Sequence, residues 1–583
     1  MSFRLVALLS FALCASAPAF AGIDVRVRGL GSEEADNVYA QIGILNYARK
    51  TDAGKADYDP AEVQRRFEQG PADIRKALQP FGWYAPAIKS ELRGAKPDWT
   101  AVYTVDAGAP VKLATVDLRI DGEGRDNPAL AAIVRAPRLR PGDRLKHAEY
   151  EGLKSRLLQV ANGQGYLDAS FSRHELRVDV DAGSAAVLLT LDTGPRYYFG
   201  EVSIDDDAGL DDALLRRYVT LVPGEPFDQS KILSTQFALT DLDYFRLVEV
   251  EPQKSRAGPD RRIPVLIHGR AKPPRAYKFG LGYGTDTGPR ALAGVEFRRL
   301  NAEGHKLRIE LRPSQNISTG IAEYRIPVGH SPGDSVSFTA EGLKQNFQGI
   351  REDLYSFGVS YNRQVWNWER RPYLVYTNDT YSLPREAQTN SKLLTPGLSL
   401  SRTDIDDPIY PRSGWFALFD VHGGTHELLS DSNFVQGLVR LRGVLPLAPH
   451  WRLLARFEEG GTILSDFGHL PPSQRFFAGG DESVRGYAFR SLAPRDAYGN
   501  IFGGKYLTTG SVETDVDVYR NYGLALFGDA GGADDTVGVR LHYGAGIGLR
   551  YRLPFGAVAL DLAHPFDQGA SPVHVHIGVR VGL

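Results

Sequence analysis

The sequence has one Cys and one Met in 583 residues, and both stand near its start, as Cys14 and Met1. A disulfide framework and a metal site built on cysteine are therefore excluded. Charge of one sign is also missing: 68 Lys+Arg against 70 Asp+Glu leave a net charge of −2, which rules out a globally basic nucleic-acid binder. After residue 21 no apolar run approaches the ~20 residues of a transmembrane helix. That portion is then either soluble or crosses a membrane as a closed barrel, the other structure that satisfies its backbone in lipid. What is present is a 42% hydrophobic composition, too apolar for a disordered chain, with 62 Gly, 27 Tyr and 27 Phe, which lean towards β structure.

Residues 1–21 read as a signal peptide. Arg4 supplies a minimal positive start, Leu5 to Leu13 a short apolar core, and Ala19-Phe20-Ala21 a small-x-small cleavage site before Gly22. Leu13 is too large for the residue a lipoprotein signal carries before its cysteine, so secretion with cleavage is the expectation.

Residues 276–583 alternate with period two. Val573, Val575, Ile577, Val579, Val581 and Leu583 are apolar, with His574, His576, Gly578, Arg580 and Gly582 between them. Tyr277, Phe279, Leu281 and Tyr283 alternate with Lys278, Gly280, Gly282 and Gly284 at the other end. About sixteen such segments fall between Gly, Pro, Asp and Asn turns, with aromatics near segment ends. A soluble sandwich or propeller also alternates, but with its apolar face inside. The signal peptide, the segment count and termination on a strand favour a 16-stranded antiparallel transmembrane β-barrel.

Residues 22–275 hold a threefold repeat of roughly 85 residues. Val105-Asp106-Ala107-Gly108-Ala109-Pro110 returns as Leu191-Asp192-Thr193-Gly194-Pro195, and Leu139-Arg140-Pro141-Gly142 as Leu221-Val222-Pro223-Gly224. In each copy a predicted helix ends on an aromatic step: Gly82-Trp83-Tyr84, Gly165-Tyr166, then Asp243-Tyr244-Phe245. A β-α-α-β-β order, an α+β unit, fits each copy, and Lys272-Pro273-Pro274 marks the exit into the barrel.

No catalytic constellation survives scrutiny. Gly329-His330-Ser331-Pro332-Gly333 satisfies G-x-S-x-G, but strand-like residues flank it on both sides where a nucleophile elbow needs a following helix. His574 and His576 share a strand face, which is two metal ligands without a third. The Gly280–Gly284 series lacks dinucleotide-loop spacing. Neither an enzyme nor a cofactor is expected.

Three such repeats before a sixteen-strand barrel resemble the POTRA domains and barrel of the BamA–TamA superfamily of outer-membrane assembly and translocation factors. Arg475-Phe476-Phe477-Ala478-Gly479-Gly480, followed by Ser483-Val484-Arg485-Gly486-Tyr487, is similar to the superfamily's loop between barrel strands eleven and twelve. Phe527-Gly528-Asp529-Ala530-Gly531 resembles its F-x-D-x-G strand motif. Three repeats, the Asp561-Leu562-Ala563-His564-Pro565 pattern and the Leu583 terminus look TamA-like; many other barrels end in Phe. The resemblance implies POTRA domains at 22–108, 109–194 and 195–274, and a barrel at 275–583 with its long loop at 465–502. It implies an outer-membrane barrel with periplasmic POTRA domains, in contact with outer-membrane lipid. It further implies unfolded outer-membrane proteins or autotransporters as substrates, and a TamB-like inner-membrane-anchored partner for the first repeat. A two-partner secretion transporter is the alternative; it carries two POTRA units and a plug helix. A passive pore leaves the periplasmic repeats unexplained.

The loop's chemistry also follows from its residues. Gly479, Gly480 and Gly486 allow backbone conformations closed to other residues, so the loop can fold into the lumen. An Arg there needs a carboxylate. On strand thirteen Phe527 and Asp529 share a face opposite Leu524 and Leu526, which predicts an Arg485–Asp529 bond with Glu513 of the preceding strand close by. The first and last strands must pair to close the barrel, and glycines crowd both: Gly280, Gly282 and Gly284 on one, Gly578 and Gly582 on the other. Two readings fit them: relief of crowding in the lumen, or a weak seam that opens laterally and offers the 277–286 edge to an incoming strand.

Overall fold

Alternating apolar side chains build the central strand of each N-terminal repeat. In the computed structural model Trp99, Ala101, Tyr103 and Val105 are buried on one strand, Ala185, Val187, Leu189 and Leu191 on a second, and Ile263, Val265 and Ile267 on a third. The structure describes residues 22–51, 58–96, 98–465, 467–554, 556–567 and 573–580. The expected signal peptide, Gly582 of the seam and the terminal Leu583 lie outside the described residues.

The first sheet comprises β1 (Ile23–Arg28), β2 (Ala87–Ala95) and β3 (Asp98–Asp106), and the second β4 (Lys112–Asp121), β5 (Ser170–Asp179) and β6 (Ser184–Asp192). The third holds β7 (Tyr198–Asp206), β8 (Phe245–Pro252) and β9 (Arg262–Ala271). Their orders are β1-β3-β2, β4-β6-β5 and β7-β9-β8, so in every repeat the last strand lies in the middle. The first repeat departs from the predicted two-helix order. It has three helices: α1 (Ser32–Gln41), α2 (Gly43–Thr51) and α3 (Pro60–Leu78). Ile42 leaves the helical region at ψ 121 but stays fully buried, so the apolar pattern runs across the break and hides it. The second repeat has α4 (Pro128–Arg135) and α5 (His147–Gly163), and the third α6 (Asp212–Arg216) and α7 (Gln229–Asp241). Asn127 caps α4 by accepting from the Ala129 and Leu130 N–H groups, with Pro128 at the first helical position.

The aromatic steps have a common cause. Each begins on a residue in the left-handed region: Gly82 at φ +85, Gly165 at φ +90 and Asp243 at φ +60. The Gly82 carbonyl then accepts from Val111 N at 2.9 Å and the Gly165 carbonyl from Tyr197 N at 2.9 Å. In the third repeat the Tyr244 carbonyl accepts from Lys272 N at 2.8 Å, and Lys272 pairs with the Asp243 carboxylate. Each step thus pins the chain that enters the next element.

Two compact units result. One runs to Glu201 and adds Val222–Ser230 and Lys254–Pro264; the other contains Val202–Leu221, Lys231–Gln253 and Val265–Leu583. Within the second, Lys306 Nζ donates to the Leu242 carbonyl at 2.7 Å, and Asp211 N to the Ala302 carbonyl at 2.9 Å.

Sixteen strands follow in strict sequence order. They begin with β10 (Arg275–Gly284), β11 (Gly288–Phe297), β12 (Lys306–Arg312) and β13 (Ile317–Pro327). Next come β14 (Ser335–Phe347), β15 (Ile350–Val365), β16 (Trp368–Ser382) and β17 (Thr389–Ile405). After them lie β18 (Gly414–Gly424), β19 (Phe434–Ala448), β20 (Trp451–Leu464) and β21 (Tyr506–Tyr519). The last four are β22 (Tyr522–Asp534), β23 (His542–Leu553), β24 (Gly556–Pro565) and β25 (His574–Arg580). All neighbours pair antiparallel, from β10·β11 to β24·β25. The apolar face is the outer one, the reverse of a soluble sandwich: Leu524 and Leu526 are exposed while Ala525, Phe527 and Asp529 are buried. The G-x-S-x-G match is the turn between β13 and β14, with Gly329 at φ +72 and Gly333 at φ +93.

Candidate functional site

The long loop between β20 and β21 folds back onto the inner wall. Gly479, Gly480 and Gly486 take φ of +100, +106 and +97, conformations a side chain would strain. Val484, fully buried, packs with Ala478, Leu492, Leu507 and Ala533. Ser483 Oγ accepts from Gly479 N at 3.1 Å, and Phe476 N donates to the Gly504 carbonyl at 2.9 Å. The tip is thereby rigid, and it presents one side chain, Arg485, with no exposed surface.

Arg485 meets Asp529 in a two-pronged bond, Nε to Oδ2 at 2.7 Å and Nη2 to Oδ1 at 2.8 Å. Its backbone N–H adds a third contact to Asp529 Oδ2 at 3.0 Å. Nη1 reaches Glu513 Oε2 at 2.6 Å and Asp561 Oδ2 at 3.1 Å. The guanidinium carbon lies 3.4 Å from the centre of the Phe527 ring. Arg550 closes the network behind it, donating to Glu513 Oε1 at 2.7 Å and pairing with Asp561. Two cations therefore bind three carboxylates, all buried on the lumen face of β21–β24.

Parity thus brings together Arg485, Asp529 and Glu513, the three residues the sequence puts there. It also places Asp561, Arg550 and Ser511, whose Oγ donates to Asp529 Oδ1 at 2.6 Å, and that reading names none of the three as a partner of Arg485. The signal was available: Arg550 interrupts a glycine series on one face of β23, and Asp561 alternates with apolar residues on β24. The β23 glycines make room. A Cβ at Gly544 would stand 2.1 Å from the Arg485 carbonyl oxygen, whereas one at Gly528 would meet nothing within 4 Å. Gly544→Val is accordingly expected to lift the tip off the wall and open the loop to trypsin, with Gly528→Val unchanged. Equal protease resistance of the two variants would contradict this packing.

Arg475 does not join the carboxylates. It holds the loop base, donating to the Leu470, Phe502 and Phe467 carbonyls at 2.7, 2.9 and 3.4 Å. Phe477 sits edge-on to Phe347, 5.2 Å between ring centres, and Tyr487 OH donates to the Tyr543 carbonyl at 3.2 Å. Gly531 allows β21 and β22 to approach, since a Cβ there would stand 2.8 Å from the Thr508 carbonyl oxygen.

The loop also reaches the seam. Asp481 accepts from Thr285 Oγ1 at 3.1 Å, and its N–H donates to Asp286 Oδ2 at 2.8 Å. Burial, then the Asp481 carboxylate, push the Asp286 carboxyl up to about 6. His576 of β25 accepts from Gly486 N at 3.0 Å through Nε2, so Nδ1 carries the proton and donates to Asp481. Asp286, Asp481 and His576 present ligand atoms within 4.8 Å of one another, but that tautomer leaves no lone pair at Nδ1 for a cation. The cluster is a hydrogen-bonded clasp.

The expected pairing of first and last strands is reduced. Among the described residues one backbone hydrogen bond crosses it, Thr285 N to the Ile577 carbonyl at 3.2 Å. The Ile577 N–H goes to Thr285 Oγ1 at 3.4 Å instead of a carbonyl, which interrupts a ladder. Gly280, Gly282 and Gly284 lie on β10 and Gly578 on β25 at this edge, and a Cβ at Gly578 would stand 3.8 Å from Asp481. A polar cavity of about 630 Å³ lies behind it, lined by Asp286, Arg290, Arg456, Asp481 and Glu513 among others.

Residues 300–582 match the Omp85 superfamily domain, and residues 24–107 match the POTRA domain described as TamA domain 1. Neither is an enzyme family. The outer membrane protein assembly factor BamA of Nitratidesulfovibrio vulgaris is 23% identical over 394 residues, covering 64% of this chain and 49% of that protein. The BamA of Neisseria meningitidis serogroup B is 21% identical over 549 residues, 86% of this chain and 68% of its own. The chain thus spans about half the length of the first of these curated relatives. The crystal structure of BamA from Haemophilus ducreyi lacking POTRA domains 1–3 superposes with a TM-score of 0.67 at 16% identity, over 81% of this chain and 99% of that one; the likeness is one of fold. With its barrel, its inward-folded loop and a first repeat of TamA type, the chain carries an Omp85 superfamily domain over residues 300–582 and is an outer-membrane β-barrel bearing N-terminal POTRA domains.

Proposed function

We propose that this protein assists the insertion or secretion of autotransporters and other β-barrel proteins at the outer membrane, through a lateral gate between β10 and β25. The observation that carries the reading is the seam. Every other adjacent pair in the barrel runs as a ladder, five residue pairs long between β11 and β12 and thirteen between β14 and β15. A strand edge with free N–H and C=O groups is a template for an incoming strand. Tyr277, Phe279, Leu281 and Tyr283 of β10 face outward, so a strand added there is delivered with its own apolar face to lipid. The TamA-type first repeat supports a TamB-like inner-membrane-anchored protein as its partner.

The test uses the absence of cysteine after residue 21. Gly280→Cys is paired with single cysteines along the last strand of a stalled autotransporter barrel, and disulfides are read in intact cells. A crosslink confined to one register is the expected result. No crosslink at any register would leave export through the lumen, as in two-partner secretion of a soluble adhesin or cytolysin, as the better account.

A further inference from the structure

Two arginines face each other on the outside of the barrel. Arg363 of β15 and Arg370 of β16 are register partners, and both are exposed. They share the strand faces of Tyr355, Phe357, Tyr361 and Leu374, all exposed and apolar, so they project towards lipid. Like charges directly opposite in a ladder repel, and cations on a lipid face are tolerated only where polar headgroups receive them. Among the described residues neither guanidinium has a carboxylate partner; Arg370 lies over the Trp366 ring at 5.8 Å. The next outward arginine, Arg402 of β17, is by contrast paired with Asp404 at 3.1 Å.

Their depth identifies the headgroup layer. The pair stands next to the turn at 366–367, on the same side of the barrel as the POTRA junction at Arg275. All four tryptophans of the barrel, Trp366, Trp368, Trp415 and Trp451, lie at this end of their strands, as an interfacial belt requires. A groove of about 520 Å³ runs beside the arginines, with Tyr361, Trp368, Leu398 and Leu400 in its walls.

We propose that this groove binds an anionic phospholipid of the periplasmic leaflet. The two guanidinium forks bridge its phosphodiester, and an acyl chain lies along Leu398 and Leu400. A planar fork matches phosphate oxygens two at a time, which a zwitterionic headgroup with its own ammonium rewards less. The site lies on β15–β17, away from β10 and β25 in strand order, and does not depend on the seam.

Native mass spectrometry of the purified full chain, titrated with phosphatidylglycerol or phosphatidylcholine, tests it. The wild type is expected to retain phosphatidylglycerol with a roughly ten- to thirtyfold preference. Arg363→Gln/Arg370→Gln removes the preference, the double Lys variant keeps part of it, and Arg520→Gln at another turn leaves it intact. Absence of a preference in the wild type, or equal retention in the double Gln variant, would overturn the proposal.

Discussion

Arg485→Ala is expected to destabilise the barrel by about 3–5 kcal/mol, the cost of leaving buried carboxylates without their cation. Asp529 loses the charged contacts that Arg485 supplies, while Glu513 and Asp561 keep their bonds to Arg550. The loop tip then keeps the backbone N–H of residue 485 on Asp529, together with Gly486–His576 and Tyr487–Tyr543, as its polar anchors near that point. Lower urea resistance and tryptic cleavage inside 465–505 are the expected readouts. Arg485→Ala/Asp529→Ala should cost less than the two single changes summed, because the second deletion removes the orphan the first creates. Wild-type stability of Arg485→Ala would mean that the loop is held by its apolar contacts alone.

The sequence shows most of this site because a strand alternates faces with a fixed period. Leu524 and Leu526 point out, which commits Asp529 to the lumen, and the loop brings the one arginine that needs it. Asp561 and Arg550 obey the same rule. What parity does not encode is how deep the loop descends and which lumen charges on non-adjacent strands it meets there. The N-terminal repeat is visible through left-handed residues at Gly82, Gly165 and Asp243, a local property with a local signature. The break at Ile42 is hidden, because Val38, Ile42 and Ile44 keep the apolar period on both sides of it. The seam lies between these cases. Its glycines are plain in the sequence, but the missing ladder is not, because pairing between residues some 290 apart depends on how the whole barrel closes.

That seam also gives the second large effect. Thr285 and Ile577 already exchange two hydrogen bonds, so Thr285→Cys with Ile577→Cys places a cysteine pair at a contact that crosses the seam. Oxidation would replace two weak bonds with a covalent one and fix the end of β10 against β25; it gives up the Thr285–Asp481 hydrogen bond but leaves the Arg485 network as it is. The direct measurement is autotransporter assembly by this variant, with the disulfide closed by oxidant and then opened by reductant. Loss of assembly in the oxidised protein, with recovery on reduction, is the result a lateral gate predicts. Undiminished assembly with the seam locked would contradict it.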